Sequence, residues 1–137
     1  MDIVFAANSF EEVRRLPVLP AEMNIEHPWN NEEFQTMNLG TINLIGTPGL
    51  RSLTIESFFP MRLYPFMKEK RLGWSYVQFF RKWREKRVPL RVIITNNKEQ
   101  EVLNMPCTID NFVFGWDRSG DIKYSLAVKE FKFVKVT

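Results

Sequence analysis

Few residues in this chain could do chemistry. It has one histidine, His27, and one cysteine, Cys107, far apart in sequence. Metal ions need clustered His, Cys or carboxylates at ligand spacing, and a thiol nucleophile needs a base beside it. Neither pattern is present, so His27 reads as a loop residue and Cys107 as a small buried hydrophobe. Gly46-Thr47-Pro48-Gly49 is glycine-rich, but no Lys-Ser/Thr follows it and no helix opens from it. It is a turn signal and not a phosphate cradle. Asp110 and Glu130 stand where strands change phase, and they read as solvent-facing residues of a bent sheet. No catalytic, cofactor-binding or metal-ligating residue is expected, no cofactor is expected, and the chain is not read as an enzyme.

The one charged constellation lies in residues 68–91. Nine Lys/Arg stand there against Glu69 and Glu85, while the whole chain is only +3. Arg81, Lys82, Arg84, Lys86 and Arg87 interleave with Trp74, Tyr76, Phe79, Phe80 and Trp83. Basic residues among aromatics can bind single-stranded nucleic acid by charge and stacking. Yet Tyr76, Phe79, Phe80 and Trp83 fall at i, i+3, i+4 and i+7, the stripe of a helix face turned to a core. Gln78, Arg81, Lys82 and Glu85 repeat on the other side. The core reading is favoured over the nucleic-acid one, and no zinc-finger or RNP motif accompanies the segment. Its basic stripe remains an interface candidate for an acidic neighbour.

The elements that position these groups follow from composition and pattern. At 137 residues, 45% hydrophobic and 14% aromatic, the chain can bury the core of one domain. It lacks the roughly 18-residue apolar run of a membrane span, and its N-terminus does not read as a secretory signal. A lone cysteine fits folding in a cytoplasm. Residues 2–7 read as a strand, 16–20 as an edge segment or extended arm, 23–25 as a brief strand and 27–33 as a loop. Residues 41–45 and 52–58 read as strands joined by the Gly46–Gly49 turn, and Pro60 stops the second. Residues 61–71 are irregular, with Pro65 inside. The helix spans 74–86, with Ser75 as its cap or Gly73 ahead of its first turn. Residues 90–95 form a strand by composition.

Residues 105–116 and 122–136 read as a long hairpin around the loop 117–121. Placing Phe112, Phe114 and Trp116 on the same side as Ile122, Tyr124, Leu126 and Val128 sets Trp116 opposite Ile122. Both arms then change phase, the first at Asp110 and the second between Val128 and Phe131. In that register Cys107 faces Phe131 and Ile109 faces Lys129. A shared switch predicts a bend or bulge and a hairpin whose two ends serve different packing faces. The fold class is α+β: mainly antiparallel, barrel-like sheet, one amphipathic helix and a bent C-terminal hairpin.

In order and spacing, LPVLPAEMNI, LGTINLIGTPGLRSLTIESFFP, WSYVQFFRKWREKRVPLRVIIT and NMPCTIDNFVFGWDRSGDIKYSLAVKEFKFVKV resemble a known series. It is the N-terminal module of LysM-containing baseplate proteins of PBSX-type prophages and contractile-tailed phages. The resemblance covers residues 16–136, and its most specific pieces are Ile42-Asn43-Leu44-Ile45-Gly46, Phe58-Phe59-Pro60 and the strand pair Met105 to Phe114 and Tyr124 to Phe133. It implies one baseplate module over 1–137: an N-terminal arm and short strands over 1–38, strand–turn–strand 39–60, helix 73–87, strand 90–95 and hairpin 105–136. It also implies a tail-tube or hub type of fold and a virion structural protein, in a phage tail or tail-like bacteriocin, folded in the host cytoplasm. No LysM stretch follows the module in this sequence, so glycan binding is not carried over.

The partners so implied are hub, tube, wedge or sheath proteins in a six-fold symmetric assembly, with no small-molecule substrate and no membrane. The expected contact residues are Arg81, Lys82, Arg84, Lys86 and Arg87 on the helix, Gly46, Pro48, Gly49 and Arg51 at the turn, and Trp116 and Arg118 at the hairpin tip. The alternative is a small basic nucleic-acid-binding module using residues 68–91. A third reading, a cell-wall hydrolase, lacks a catalytic constellation.

Overall fold

The computed structural model describes residues 1–133. Its strands are β1 (Asp2–Ala7), β2 (Glu12–Arg15), β3 (Ile25–Glu26), β4 (Trp29–Thr36), β5 (Gly40–Pro48) and β6 (Ser52–Phe59), followed by helix α1 (Gly73–Glu85) and strands β7 (Leu90–Thr95), β8 (Glu101–Trp116) and β9 (Ile122–Glu130). Seven strands form one antiparallel sheet in the order β2-β1-β7-β8-β9-β6-β3, and β4 and β5 pair only with each other. The ladders run from β2 to β3 without joining these two ends.

Helix α1 covers one face of the sheet. Tyr76, Val77, Phe79, Phe80 and Trp83 are buried among Ile3, Phe5, Ile55, Phe59, Met105, Ile122 and Leu126. Phe59 is the centre of this packing. Its ring stacks on Tyr76 at 4.9 Å and on Tyr124 at 3.9 Å, both nearly parallel. Phe80 meets Phe5 edge-on at 5.1 Å. The helix enters the sheet at close quarters, and only a glycine fits there. A Cβ on Gly73 would stand 2.7 Å from the Phe59 carbonyl oxygen. Neither capping expectation is met: Leu72 is the N-cap residue without a side-chain cap, and the Ser75 hydroxyl donates to the Leu72 carbonyl. Lys82 and Arg84 in the last turn suit the negative end of the helix dipole.

The hairpin β8–β9 has the register that its alternation requires at the tip, with Trp116 opposite Ile122. Its lower half corrects the expectation. The ladder slips between Ile109 and Asn111, so Cys107 faces Glu130 and Ile109 faces Val128. The extra residue, Asp110, sits in the shift as a bulge in β8 alone. Its effect is to keep one face apolar: Leu103, Met105, Cys107 and Ile109 are buried before it, and Phe112 and Phe114 pack on the same core after it. In β9 the alternation from Ile122 to Val128 is unbroken. The hairpin therefore serves one core and not two faces. Phe131 and Phe133 lie past the end of β9, and residues 134–136 of the expected strand lie outside the described residues.

Three segments near the N-terminus also differ from expectation. Strand β2 was not foreseen. It returns from β1 through Asn8, Ser9 and Phe10, all at positive φ. Residues 16–20 form no arm: Leu16 is fully buried, its N–H bonds the Ile3 carbonyl, and Pro17 and Val18 accept from Lys68 and Ser57. The loop expected over 27–33 is mostly strand β4, and the Gly46–Gly49 turn does not join β5 to β6. Strand β5 runs on through Pro48 and pairs with β4, while β6 pairs with β9 and β3.

Candidate assembly surfaces

The β4–β5 arm stands apart from the sheet. It leaves at β3, turns around Met37–Leu39, and comes back to β6. Gly40, at φ +72°, completes the turn in a conformation that glycine adopts without strain. The base is stitched by Trp29, whose indole N–H donates to the Gly46 carbonyl at 2.8 Å, and by Gly49, whose N–H donates to the Pro28 carbonyl at 2.8 Å. The register slips between Asn30 and Glu32, and the Asn31 side chain accepts from the Gly46 N–H. A Cβ on Gly46 would fall 1.7 Å from the Asn30 carbonyl oxygen, so the glycine is a packing requirement of this base. Gly46, Pro48 and Gly49, named from the sequence as candidate contact residues, lie together at the root of an arm.

Nothing among the described residues covers this arm. Met37 is 102% exposed, Ile45 87% and Leu39 78%, and Phe34, Leu44 and Trp29 are also exposed. A free two-stranded hairpin is marginal in water, and contiguous exposed apolar surface marks an interaction site.

The second surface is the C-terminal half of α1 with the two residues that follow it. Arg81, Lys82, Arg84, Lys86 and Arg87 are all exposed there. Lys82 pairs with Glu12 of β2 at 2.9 Å, and Arg84 donates to the Asp110 carbonyl at the bulge. The Lys82 hydrogen bond holds Glu12 below the ordinary carboxylate range. Lys82 and Lys86 both lie over the Trp83 ring, at 5.0 and 4.8 Å. Arg81, Lys86 and Arg87 make no ion pair among the described residues.

Arg51 does not join either surface. It clasps Glu130 through its guanidinium, with a 3.0 Å contact to Oε2, and its own N–H also donates to Oε1 at 3.0 Å. The Arg51 bond holds the Glu130 carboxyl low. This closes the junction between the arm and the sheet, and Glu130 is a structural partner where a solvent-facing acid was expected.

The third surface is the hairpin tip and the loop beside it. Trp116 is exposed and stacks on Trp74 at 6.3 Å, and Arg118 stands in the exposed tip loop. Sequence reasoning overlooked the neighbouring aromatic patch, where Tyr64 and Phe66 stack at 5.0 Å against Phe58. Buried Asp121 anchors it by accepting from the Met61 N–H at 2.9 Å and the Tyr64 hydroxyl at 2.7 Å. The run of Phe58, Phe59, Tyr64 and Phe66 around Pro60 and Pro65 was the available signal.

Chemistry is not assembled at any of these places. His27 is exposed at the arm's root, tilted against Trp29, and Cys107 is buried in β8, where burial pushes its thiol up to about 12. Among the described residues no group of three or more His, Cys, Asp or Glu could hold a metal ion, and no helix is long and apolar enough to cross a membrane.

No protein-family model matches the chain. It is 30% identical over 122 residues to the uncharacterized protein YqbP of Bacillus subtilis (strain 168), across 86% of this chain. The chain spans about half of that relative's length, 54%. Among solved structures, a chain of the six-fold symmetrised baseplate of the anti-feeding prophage matches over 96% of this chain and 88% of its own, with a TM-score of 0.58 at 12% identity. A chain of the tail of an empty GTA particle, with C6 symmetry, matches over 99% and 95% with a TM-score of 0.59 at 14% identity. At such identities the likeness is one of fold, and this mostly antiparallel sheet with its single helix has the fold of chains found in a prophage baseplate and a particle tail.

Proposed function

We propose that this chain is a structural component of the tail or baseplate of a contractile phage or tail-like particle, acting by protein–protein assembly and not by catalysis. The carrying observation is that nearly its whole length shares the fold of chains from two such particles. The exposed apolar arm supports the reading, since surface of that kind is stable when a partner covers it. On this reading the neighbours are other tail proteins in six-fold array, bridging tube or hub to wedge or sheath. The contact residues are Arg81, Lys82, Arg84, Lys86 and Arg87, the arm rooted at Gly46, Pro48 and Gly49, and the tip at Trp116 and Arg118; the Arg51 clasp holds the arm in place.

Deleting the coding sequence from a particle-producing strain tests the proposal. Electron microscopy should then show tubes or sheaths without complete baseplates, restored by the gene supplied in trans. Complete, contractile and lethal particles from the deleted strain would overturn it.

A further inference from the structure

Helix α1 ends in a hydrogen-bonded closure that ordinarily takes a glycine. Lys86 is the C-cap, and beyond it the Arg87 N–H donates to the Arg84 carbonyl at 3.1 Å and the Val88 N–H to the Trp83 carbonyl at 3.4 Å. This pair of bonds puts the residue after the cap in the left-handed region, where glycine is the usual occupant. Here that residue is Arg87, at φ +57°. An unfavourable backbone kept under a charged side chain points to a use for the side chain. Arg87 makes no ion pair among the described residues.

The use lies beside it. A cavity of about 220 Å³ opens between the helix end and strands β7 and β8. Arg84 and Arg87 line it together with Val88, Cys107, Ile109 and Phe131, and among the described residues no Asp or Glu does. Its walls are held: Arg84 donates to the Asp110 carbonyl at 3.3 Å, and the Phe131 N–H donates to the Pro106 carbonyl at 2.9 Å. Acids of the adjoining strands are engaged elsewhere. The Asp110 carboxylate accepts from the Thr108 hydroxyl, and Glu130 is clasped by Arg51. Two guanidinium groups therefore flank an apolar cavity with no carboxylate to meet them.

Size, lining and charge decide the occupant. Sites for cofactors and drug-sized ligands measure about 300–1,000 Å³, so this one suits a single large side chain. Single-stranded nucleic acid stacks on exposed aromatic faces. Trp83 is 2% exposed, with Lys82 and Lys86 over its ring, and gives no such platform. Copies of a chain at +3 repel one another at long range, which favours an acidic protein here.

We propose that this cavity anchors an acidic segment of a different protein of the particle, which inserts one large apolar side chain between Arg84 and Arg87 and sets its carboxylates on both guanidinium groups. Arginine beside a filled apolar pocket is the make-up of an interface hot spot. The inference rests on the structural role proposed above and gives that partner its contact chemistry.

Titration of the isotope-labelled full chain, followed by NMR amide shifts, tests it. The probe is a capped peptide with one phenylalanine between two runs of glutamate. It should bind saturably, shift the amides of residues 84–90, 107–109 and 131, and weaken as salt rises. A peptide with alanine for the phenylalanine, or lysine for the glutamates, should bind at least about tenfold more weakly. Arg87→Gly should cost about tenfold in affinity while Tm holds or rises, because glycine relieves the positive φ. Arg87→Asn, which also tolerates that conformation, repeats the test. A structural role alone would lower Tm instead. No binding, shifts elsewhere, full affinity in Arg87→Gly, or tighter binding of an oligothymidylate at the same amides would each overturn the proposal. Particle composition is read separately: the chain present in particles while the peptide fails to bind removes this site and leaves the structural role.

Discussion

Replacing Gly73 by Ala sets two physical effects against each other. Helix propensity alone favours the change by up to about 1 kcal/mol, less at the first helical residue. The structure opposes it. The new Cβ would lie 2.7 Å from the Phe59 carbonyl oxygen and 2.8 Å from the Phe59 Cβ. Neither atom can step aside cheaply, because the Phe59 ring is held between Tyr76 and Tyr124 and the Gly73 N–H bonds the Pro60 carbonyl at 2.7 Å. Overpacking of this kind costs about 1–3 kcal/mol. The net expectation is a loss of about 1–2 kcal/mol once the propensity gain is subtracted. For a chain of this size that is a fall in Tm of about 3–8 °C. Urea and thermal unfolding followed by tryptophan fluorescence measure it. A neutral or stabilising Gly73→Ala would refute the packing of α1 on β6 described here.

Three further outcomes follow from particular contacts. The Arg51–Glu130 clasp depresses a carboxyl, so it adds stability above the unfolded carboxylate pKa, and that stability is lost as pH falls through the folded value. Since both side chains are partly exposed, Glu130→Gln should cost about 1 kcal/mol at neutral pH and flatten the acid limb of a pH–stability curve. Cys107, with its thiol pushed up to about 12 by burial, should resist a disulfide reagent at pH 8 in the native protein and react at once in denaturant. Asp121→Asn should loosen the segment after β6, because the buried carboxylate holds both the Met61 N–H and the Tyr64 hydroxyl; trypsin cleavage at Arg62 should quicken while the main unfolding transition moves little.

What could be read from the sequence depended on whether a segment has one wet side and one dry side. Helix α1 does, and the spacing of Tyr76, Phe79, Phe80 and Trp83 located it within a residue or so at each end. Strands β8 and β9 do as well, and their alternation placed Trp116 opposite Ile122. The phase change at Asp110 was visible, but a bulge that preserves one face and a bend that creates two leave the same trace in a sequence. The arm has no dry side in a single chain. In WNNEEFQT every residue except Thr36 is exposed, so no alternation marks β4. The glycines of Gly46–Gly49 carried a strong local turn signal, while the close approach of the Asn30 carbonyl, a tertiary fact, gave Gly46 its use. Strand β2 was hidden for a similar reason: the turn before it is made by three non-glycine residues at positive φ, with no Gly or Pro to announce it. Of the candidate contact residues, the helix stripe and hairpin tip could be read directly as exposed, whereas the internal use of Arg51 depended on a partner seventy-nine positions away.

The most direct test of the account is quantitative mass spectrometry of purified tail particles from a producing strain, with cryo-electron microscopy of the same sample. This chain should be found in fixed stoichiometry with tail and baseplate proteins, in a multiple of six copies per particle end, with density for its seven-stranded sheet and arm at the baseplate or tail. Intact particles that contain none of it would contradict the account.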